Sequence, residues 1–341
     1  MVTDRGLQVL RAIVQDYVAS SEPVGSKTIV ERHSFGVSAA TIRGDMAMLE
    51  EAELIVAPHT SSGRIPTDKG YRVYVDRLQG MQPLSPAQRQ AIARFLDEAD
   101  DLDDVMARSV RLLSQLTNQV ALAQYPSVAK ARVRRVEVVQ LAASRLLLVV
   151  ILDSGRVEQR MVDAGQQVEG DAAQAIGRAL DVAVAGKPTT DAEESLVAVV
   201  EGADPAVATA TARVVVALGE ALAPTAGDRL VIAGASHLVR GRHDLSGSVT
   251  LVLEAIEEQV TLLRLFGEMD AEASAVATRI GREMADGLEQ TSIVTGAYGA
   301  GGHEAGRVGV LGPTRMDYAS NMAAVRAVAR YLTRLLDDEE R

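Results

Sequence analysis

The chain has no cysteine and no tryptophan, and its seven tyrosines and three phenylalanines are its only other aromatic rings apart from histidine. The first absence excludes disulfides, cysteine-built zinc sites and thiol catalysis, and it suits a reducing compartment. The shortage of rings leaves the cores to aliphatic packing, for which 47% apolar residues in a 341-residue chain are ample. Long hydrophobic runs are missing too. The longest, Leu146 to Leu152, is far too short to span a bilayer, and Met1 to Gly6 lacks the apolar stretch of a signal peptide. The expectation is a soluble, cytoplasmic protein without a membrane partner.

Positive charge is also scarce. There are 35 Lys and Arg against 46 Asp and Glu, a formal net charge of −11, which by itself argues against a nucleic-acid partner. The first eighty residues are close to neutral, and only residues 56–80 have a modest basic excess: Arg64, Lys69, Arg72 and Arg77 against Asp68 and Asp76. The five histidines (His33, His59, His237, His243, His303) show no HExxH spacing, and no nucleophile–base pair assembles from the sequence. No catalysis, cofactor or metal is therefore expected. Gly296, Gly299, Gly301 and Gly302 lack the lysine and spacing of a Walker loop and read as an interstrand connection.

What is present is a dense set of helix and turn signals. Leu7, Leu10, Val14, Tyr17 and Val18 recur at helical spacing over residues 4–20, with Thr3 as the cap and Pro23 closing the segment. Ser26 is expected to cap a short second helix, and Phe35-Gly36-Val37 to make a tight turn. Ser38 then caps a third helix with Ile42, Met46 and Leu49 inward. That succession is the helix-turn-helix pattern. Strands around 54–56 and 64–65 flank the polar turn Pro58–Gly63 and make a wing, after which Thr67 caps a fourth helix.

Beyond a linker at 79–86, residues 87–123 read as helical with a break near Asp100, where the acidic cluster suits a helix start. Strands at 133–141, 146–152 and 156–162 suggest an antiparallel meander, followed by helices at 171–185 and 206–222. A strand at 229–233, one amphipathic helix at 249–266, strands at 276–280, 292–298 and 307–311, and a helix at 317–336 complete the reading.

Three N-terminal motifs and one near the C-terminus resemble the heat-inducible transcription repressor family, HrcA. They are Pro23-Val24-Gly25-Ser26-Lys27-Thr28, Ser38-Ala39-Ala40-Thr41-Ile42-Arg43, the run from Pro58 to Arg72, and Gly309-Val310-Leu311-Gly312-Pro313-Thr314-Arg315-Met316-Asp317-Tyr318. The resemblance implies an α+β multidomain fold. A winged helix-turn-helix occupies 1–80, a GAF-like α/β domain spans 81–165 and 270–341, and a dimerisation domain is inserted at 166–269. It also implies a homodimer that represses chaperone operons through an inverted-repeat operator in double-stranded DNA, supported by the GroEL chaperonin. Two positions depart from the family pattern: Gly44 stands where asparagine is usual, and Glu53 where glycine is usual.

On DNA, the third helix would enter the major groove with Ala40, Thr41, Gly44 and Met48 outward, and Arg43 on the flank placed to meet a guanine. Ser26, Lys27 and Thr28 would meet phosphate, and Ser38 is placed among the DNA-contacting residues. His59, Thr60, Ser61 and Arg64 would address the backbone or minor groove from the wing, and Lys69 and Arg72 would add phosphate contacts. Two other readings stay open: a protein-interaction module, and a ligand-responsive regulator built on the GAF-like domain.

Overall fold

Thr3 opens the first helix, α1 (Asp4–Ser20), by accepting the Gly6 N–H at 3.0 Å, and Ser21 closes it in a left-handed conformation. A computed structural model describes residues 2–59, 62–78, 85–96, 99, 101–128, 131–223, 229–240, 249–269, 276–284, 287–300 and 303–339. After α1 come α2 (Ser26–Arg32) and α3 (Ala39–Glu51), then the short strands β1 (Ile55–Val56) and β2 (Ile65–Pro66), and α4 (Asp68–Leu78). Ser38 caps α3 by accepting from Thr41 N at 3.2 Å, and Thr67 caps α4 by accepting from Gly70 N at 3.1 Å, both as the sequence suggests. Ser26 does not cap α2. Gly25 holds the cap position with no side-chain bond, and Ser26 is the buried first residue of the helix.

The two strands pair antiparallel, and a backbone bridge between Val24 and Arg64 ties this hairpin to the start of α2. Gly63 is what permits the bridge. A Cβ there would lie 2.6 Å from the backbone of Pro23 and Val24.

Next follow α5 (Pro86–Leu96), α6 (Leu102–Thr117) and β3 (Val120–Gln124). Asp101 caps α6, and Asp103 and Asp104 lie in its first turn, so the acidic cluster serves the exposed amides. The helix does not continue to 123 as the apolar pattern predicts. Asn118 turns left-handed, and the short run Val120-Ala121-Leu122-Ala123 becomes a fully buried strand. A four-residue apolar run carries no period that separates the two states.

That strand belongs to a five-stranded antiparallel sheet of order β7-β3-β10-β9-β8, where β7 is Leu230–Ala233, β8 Val276–Ile280, β9 Thr291–Ala300 and β10 His303–Pro313. The C-terminal helix α13 (Tyr318–Glu339) and α6 cover one face. The short α10 (Ser236–Arg240) follows β7, and α11 (Val249–Glu258) and α12 (Val260–Met269) cover the other face. The single helix expected at 249–266 is broken at Gln259, whose φ is +55°; its side-chain oxygen instead accepts from Leu230 N at 3.3 Å.

Between β3 and β7 the chain builds a separate core. Strands β4 (Val133–Ala142), β5 (Arg145–Leu152) and β6 (Val157–Asp163) form an antiparallel meander. One of its faces packs on α7 (Gly170–Val184), α8 (Ala192–Glu201) and α9 (Ala208–Leu222). The helix α8 has no counterpart in the sequence reading. This core runs from Val128 to Leu222, so the boundary expected at 165/166 falls within it, and β7, α11 and α12 pack with the larger sheet.

The N-terminal elements are not set apart from the rest. Val9, Ile13, Ile42, Leu49, Tyr71, Tyr74 and Leu78 share one apolar core with Met316, Tyr318, Met322 and the α13 face. The Tyr71 and Tyr318 rings lie 5.6 Å apart. Polar contacts join the same seam: Arg72 pairs with Glu283 and donates to Thr278 O at 2.6 Å, and Asp68 accepts from Arg282 N at 3.2 Å. Burial pulls the Arg72 pKa down, but the paired carboxylates Glu283 and Asp76 outweigh it and leave it raised.

The end of α3 explains the second family departure. Leu54 N bonds Leu49 O and Glu53 N bonds Glu50 O, both at 2.9 Å, a Schellman closure with Glu53 in the left-handed position at φ +61°. A side chain there is strained. Glu53→Gly is expected to raise the unfolding free energy by about 0.5–1 kcal/mol, after the extra chain entropy of glycine is offset. Gly44→Ala, whose methyl would meet nothing within 4 Å, is expected to add about 0.5–1 kcal/mol by helix propensity. Denaturant melts of the two variants check both; an unmoved midpoint for Glu53→Gly would show that the cap stores no strain.

Candidate nucleic-acid interface

Helix α3 divides cleanly by burial. Ile42, Asp45, Met46 and Leu49 turn inward, whereas Ala40, Arg43, Gly44, Ala47 and Met48 form an exposed row at helical spacing. The strip is low in relief. Ala40 and Ala47 carry methyl groups, and the space beside Gly44 is open. Arg43 rises at its edge, exposed and without a polar partner among the described residues. Thr41 is half-buried and holds its hydroxyl 3.0 Å from that of Ser38, inside the helix cap.

A buried acid orients this helix. Asp45 is 1% exposed and takes a two-pronged contact from Arg5 of α1, at 2.7 and 3.1 Å. The hydrogen bond and the charge of Asp45 hold the Arg5 pKa above its ordinary value. A second buried acid, Asp16 of α1, meets His33 at 3.2 Å and Arg32 at 3.7 Å at the end of α2. Neither pairing emerged from the sequence reading. The signal was present at position 45: a carboxylate in an otherwise apolar stripe demands a cation.

These pairings explain how a near-neutral segment presents a usable face. Asp45 and Asp16 are neutralised inward, and Glu50 is taken by Arg64 at 2.9 Å. Lys27, at the start of α2, stays exposed and has no polar partner among the described residues, and Thr28 is half-buried beside it. On the hairpin, His59 is exposed, its backbone N–H and C=O both bonded to the Ser62 hydroxyl at 3.0 and 2.7 Å. Thr60 and Ser61 lie outside the described residues.

Four expected contacts have other work in this structure. Ser26 is buried. Arg64 is half-buried and braces the hairpin against α3 through Glu50 and Ser62 O. Lys69 donates to Ala52 O at 3.0 Å, where a cation satisfies the last carbonyls of α3, and sits 3.4 Å from Glu53. Arg72 faces the opposite way, toward β8 and Glu283. Sequence spacing cannot separate these braces from free cations, because each choice depends on a partner 14 to 211 positions distant.

Among the described residues no three His, Cys, Asp or Glu side chains come together as a metal site, and no helix is long and apolar enough to cross a membrane.

Residues 103–322 match the model of the HrcA protein C terminal domain. The chain is 57% identical over 340 residues to the heat-inducible transcription repressor HrcA of Clavibacter michiganensis subsp. michiganensis, covering 99% of this chain and 100% of that one. The same figures hold for the HrcA of Leifsonia xyli subsp. xyli, and identity is 52% over 344 residues to that of Kineococcus radiotolerans, covering 98% and 99%. A solved structure described as a hypothetical protein at 2.2 Å resolution shares the fold, with a TM-score of 0.62 over 99% of both chains at 22% identity. With the motifs at both ends and relatives matched over nearly their whole length, the chain belongs to the HrcA family of heat-inducible transcription repressors.

Proposed function

We propose that this repressor acts in the cytoplasm as a homodimer on an inverted-repeat operator of chaperone genes, with residues 1–80 as a winged helix-turn-helix reader. The observation that carries the proposal is the α3 surface: a flat row of small residues edged by Arg43, which has no polar partner among the described residues, with the neighbouring acids turned inward. Small residues let the helix sit deep in the major groove, and a free guanidinium can take guanine O6 and N7 together. Thr41 and Ser38, at the helix start, would face the same groove edge. Lys27 and Thr28 would meet phosphate and set register, and His59 with the hairpin tip would approach the flanking backbone. Lys69 would reach phosphate only by leaving Ala52 O. Ser26, Arg64 and Arg72 are assigned supporting roles.

The five-stranded unit corresponds in this proposal to the GAF-like domain. We assign the inserted dimerisation domain to the separate core at 128–222 rather than to 166–269. A dimer follows from the energetics of reading: one such unit contacts few base pairs, and two related by a two-fold axis double the specific contribution on an inverted repeat.

Heat relief is proposed to act through a marginally stable operator-competent dimer, restored by a GroEL-type chaperonin. Support comes from two weaknesses in the reading helix, the strained Glu53 and the mid-helix Gly44.

Binding to an inverted-repeat duplex and to its scrambled version across a salt series tests the reading. Arg43→Ala is expected to cost about 1–3 kcal/mol on the operator and far less on the scrambled duplex. Equal losses would reduce Arg43 to backbone positioning. Affinity that ignores salt would remove DNA as the partner, because phosphate contacts release counterions. Purified dimer heated and cooled without chaperonin is expected to lose operator binding and to recover it when chaperonin and ATP are added. Full retention without chaperonin would overturn the heat mechanism.

A further inference from the structure

The N-terminal helices rest in a seat built by the C-terminal half of the chain. Its apolar floor holds Tyr71 against Tyr318, whose hydroxyl donates to Thr314 O at 2.7 Å and lies 2.8 Å from the Ser292 hydroxyl. Apolar burial holds two surfaces together, but it is non-directional and fixes little about the angle between them.

Polar contacts at the rim set that angle. Arg72 of α4 donates through Nε to Glu283 Oε1 at 2.8 Å, and through Nη2 to Glu283 Oε2 and, at 2.6 Å, to Thr278 O of the edge strand β8. A planar guanidinium forked onto a carboxylate tolerates little rotation. Glu283 is itself held, because Oε2 also accepts from Ile280 N at 2.9 Å across the short turn Gly281–Glu283. One turn earlier on α4, Asp68 accepts from Arg282 N at 3.2 Å, and a Cβ on Gly281 would strike its carboxylate. The grip reaches the end of α1, where Arg315 donates to the Ser21 hydroxyl and holds its guanidinium 5.8 Å from the Tyr17 ring centre. Two helices fastened at separate points cannot swivel about either one.

The separate core is fastened as well. The chain leaves the sheet at Gln124 and returns at Leu230, which are paired neighbours on β3 and β7. Just outside them, Tyr125 N bonds Arg229 O at 2.9 Å, and the Arg229 guanidinium lies 4.0 Å over the Tyr125 ring. Both side chains meet Asp103 of α6, Tyr125 at 2.5 Å and Arg229 at 2.8 Å. The N-terminal helices, the sheet and the separate core are thus braced in series.

An inverted repeat is sensitive to such bracing. Each base pair added between its halves moves one half by about 3.4 Å and turns it by about 35° around the DNA axis. Reading helices on loose tethers would follow that movement, and helices held in a fixed seat would not. We infer that Arg72 and Glu283 are specificity-determining residues of operator recognition that act without meeting DNA: by fixing α4 on β8 they set the orientation of the reading helix, and with it the half-site spacing that the dimer accepts. The inference rests on the dimeric operator reading proposed above, and it gives Asp68 and Gly281 the same positioning role.

Binding of the full-length chain to four duplexes tests it: a single half-site, the operator, and the operator with one or two base pairs inserted at its centre. The wild-type chain is expected to lose at least tenfold in affinity at two inserted pairs. Arg72→Ala and Glu283→Ala are expected to cut that loss to threefold or less while binding the half-site as tightly as wild type. Gly281→Ala drives a methyl into the seat from the other side and is expected to relax the spacing in the same way. Arg43→Ala, by contrast, is expected to weaken all four duplexes and to leave the insertion penalty unchanged. Seat variants that bind the half-site normally yet keep the tenfold penalty would overturn the inference, and so would a wild-type chain indifferent to the insertions. Loss of half-site binding in all three seat variants would overturn it too, because the seat would then hold the fold of the N-terminal helices rather than their orientation. A wild-type chain that binds the operator no better than the half-site would sink the dimeric reading along with it.

Discussion

The exposed face of α3, the proposed reading face of this repressor, depends on a carboxylate hidden beneath it. Asp45 is nearly out of reach of solvent, and a buried charge is costly unless it is paired with good geometry. Arg5 supplies that pairing from α1. Because a two-pronged contact tolerates little rotation, α3 cannot turn about its axis without stranding the charge. Its exposed row is therefore the consequence of a buried interaction on the opposite side. The same logic places Asp16 with Arg32 and His33, which fixes α2 against α1. Two acids that lower the net charge of the segment thus become its internal scaffold.

The scaffold is joined to the rest of the molecule without a gap. Helix α4 lies between α1 and the C-terminal elements, and its tyrosines sit in the core that also holds Tyr318 and Met322. Arg72, Asp68, Glu283 and Gly281 line the seam, with Gly281 in a left-handed turn against the Asp68 carboxylate. Apolar and polar contacts at one seam reinforce each other, because water excluded by the rings strengthens the ion pair beside them. Changes in how the C-terminal sheet packs are thereby felt at the helix that carries the reader. In the proposed function, this seam is the route by which heat would act on DNA binding from outside the N-terminal segment.

The intervening core at Val128 to Leu222 stands apart. Its three strands give one face to its helices, and Val139, Val157 and Met161 leave aliphatic surface on the other. The larger sheet shares its core with the N-terminal helices, whereas the smaller unit builds its own.

Much of this was legible in the chain itself. Caps at Thr3, Ser38, Thr67 and Asp101, the apolar stripe of α3 and the strand runs of the meander are set by neighbours within a few positions, and each stands in the structure. The family motifs likewise identified the repressor from contiguous residues. Other features were not legible: the strand β3 hid in a short apolar run, α8 in an alanine- and valine-rich stretch, and the break at Gln259 in one continuous amphipathic pattern. Of the cations expected on DNA, Arg43 and Lys27 have no polar partner among the described residues, whereas Arg64, Lys69 and Arg72 are committed to partners across the fold. Local sequence determined the elements, their ends and the family, because capping and periodicity act over a turn or two of chain. Only the tertiary structure decided which charges are free, because an ion pair is set by distance in space, and Arg5–Asp45 and Arg72–Glu283 meet across 40 and 211 positions.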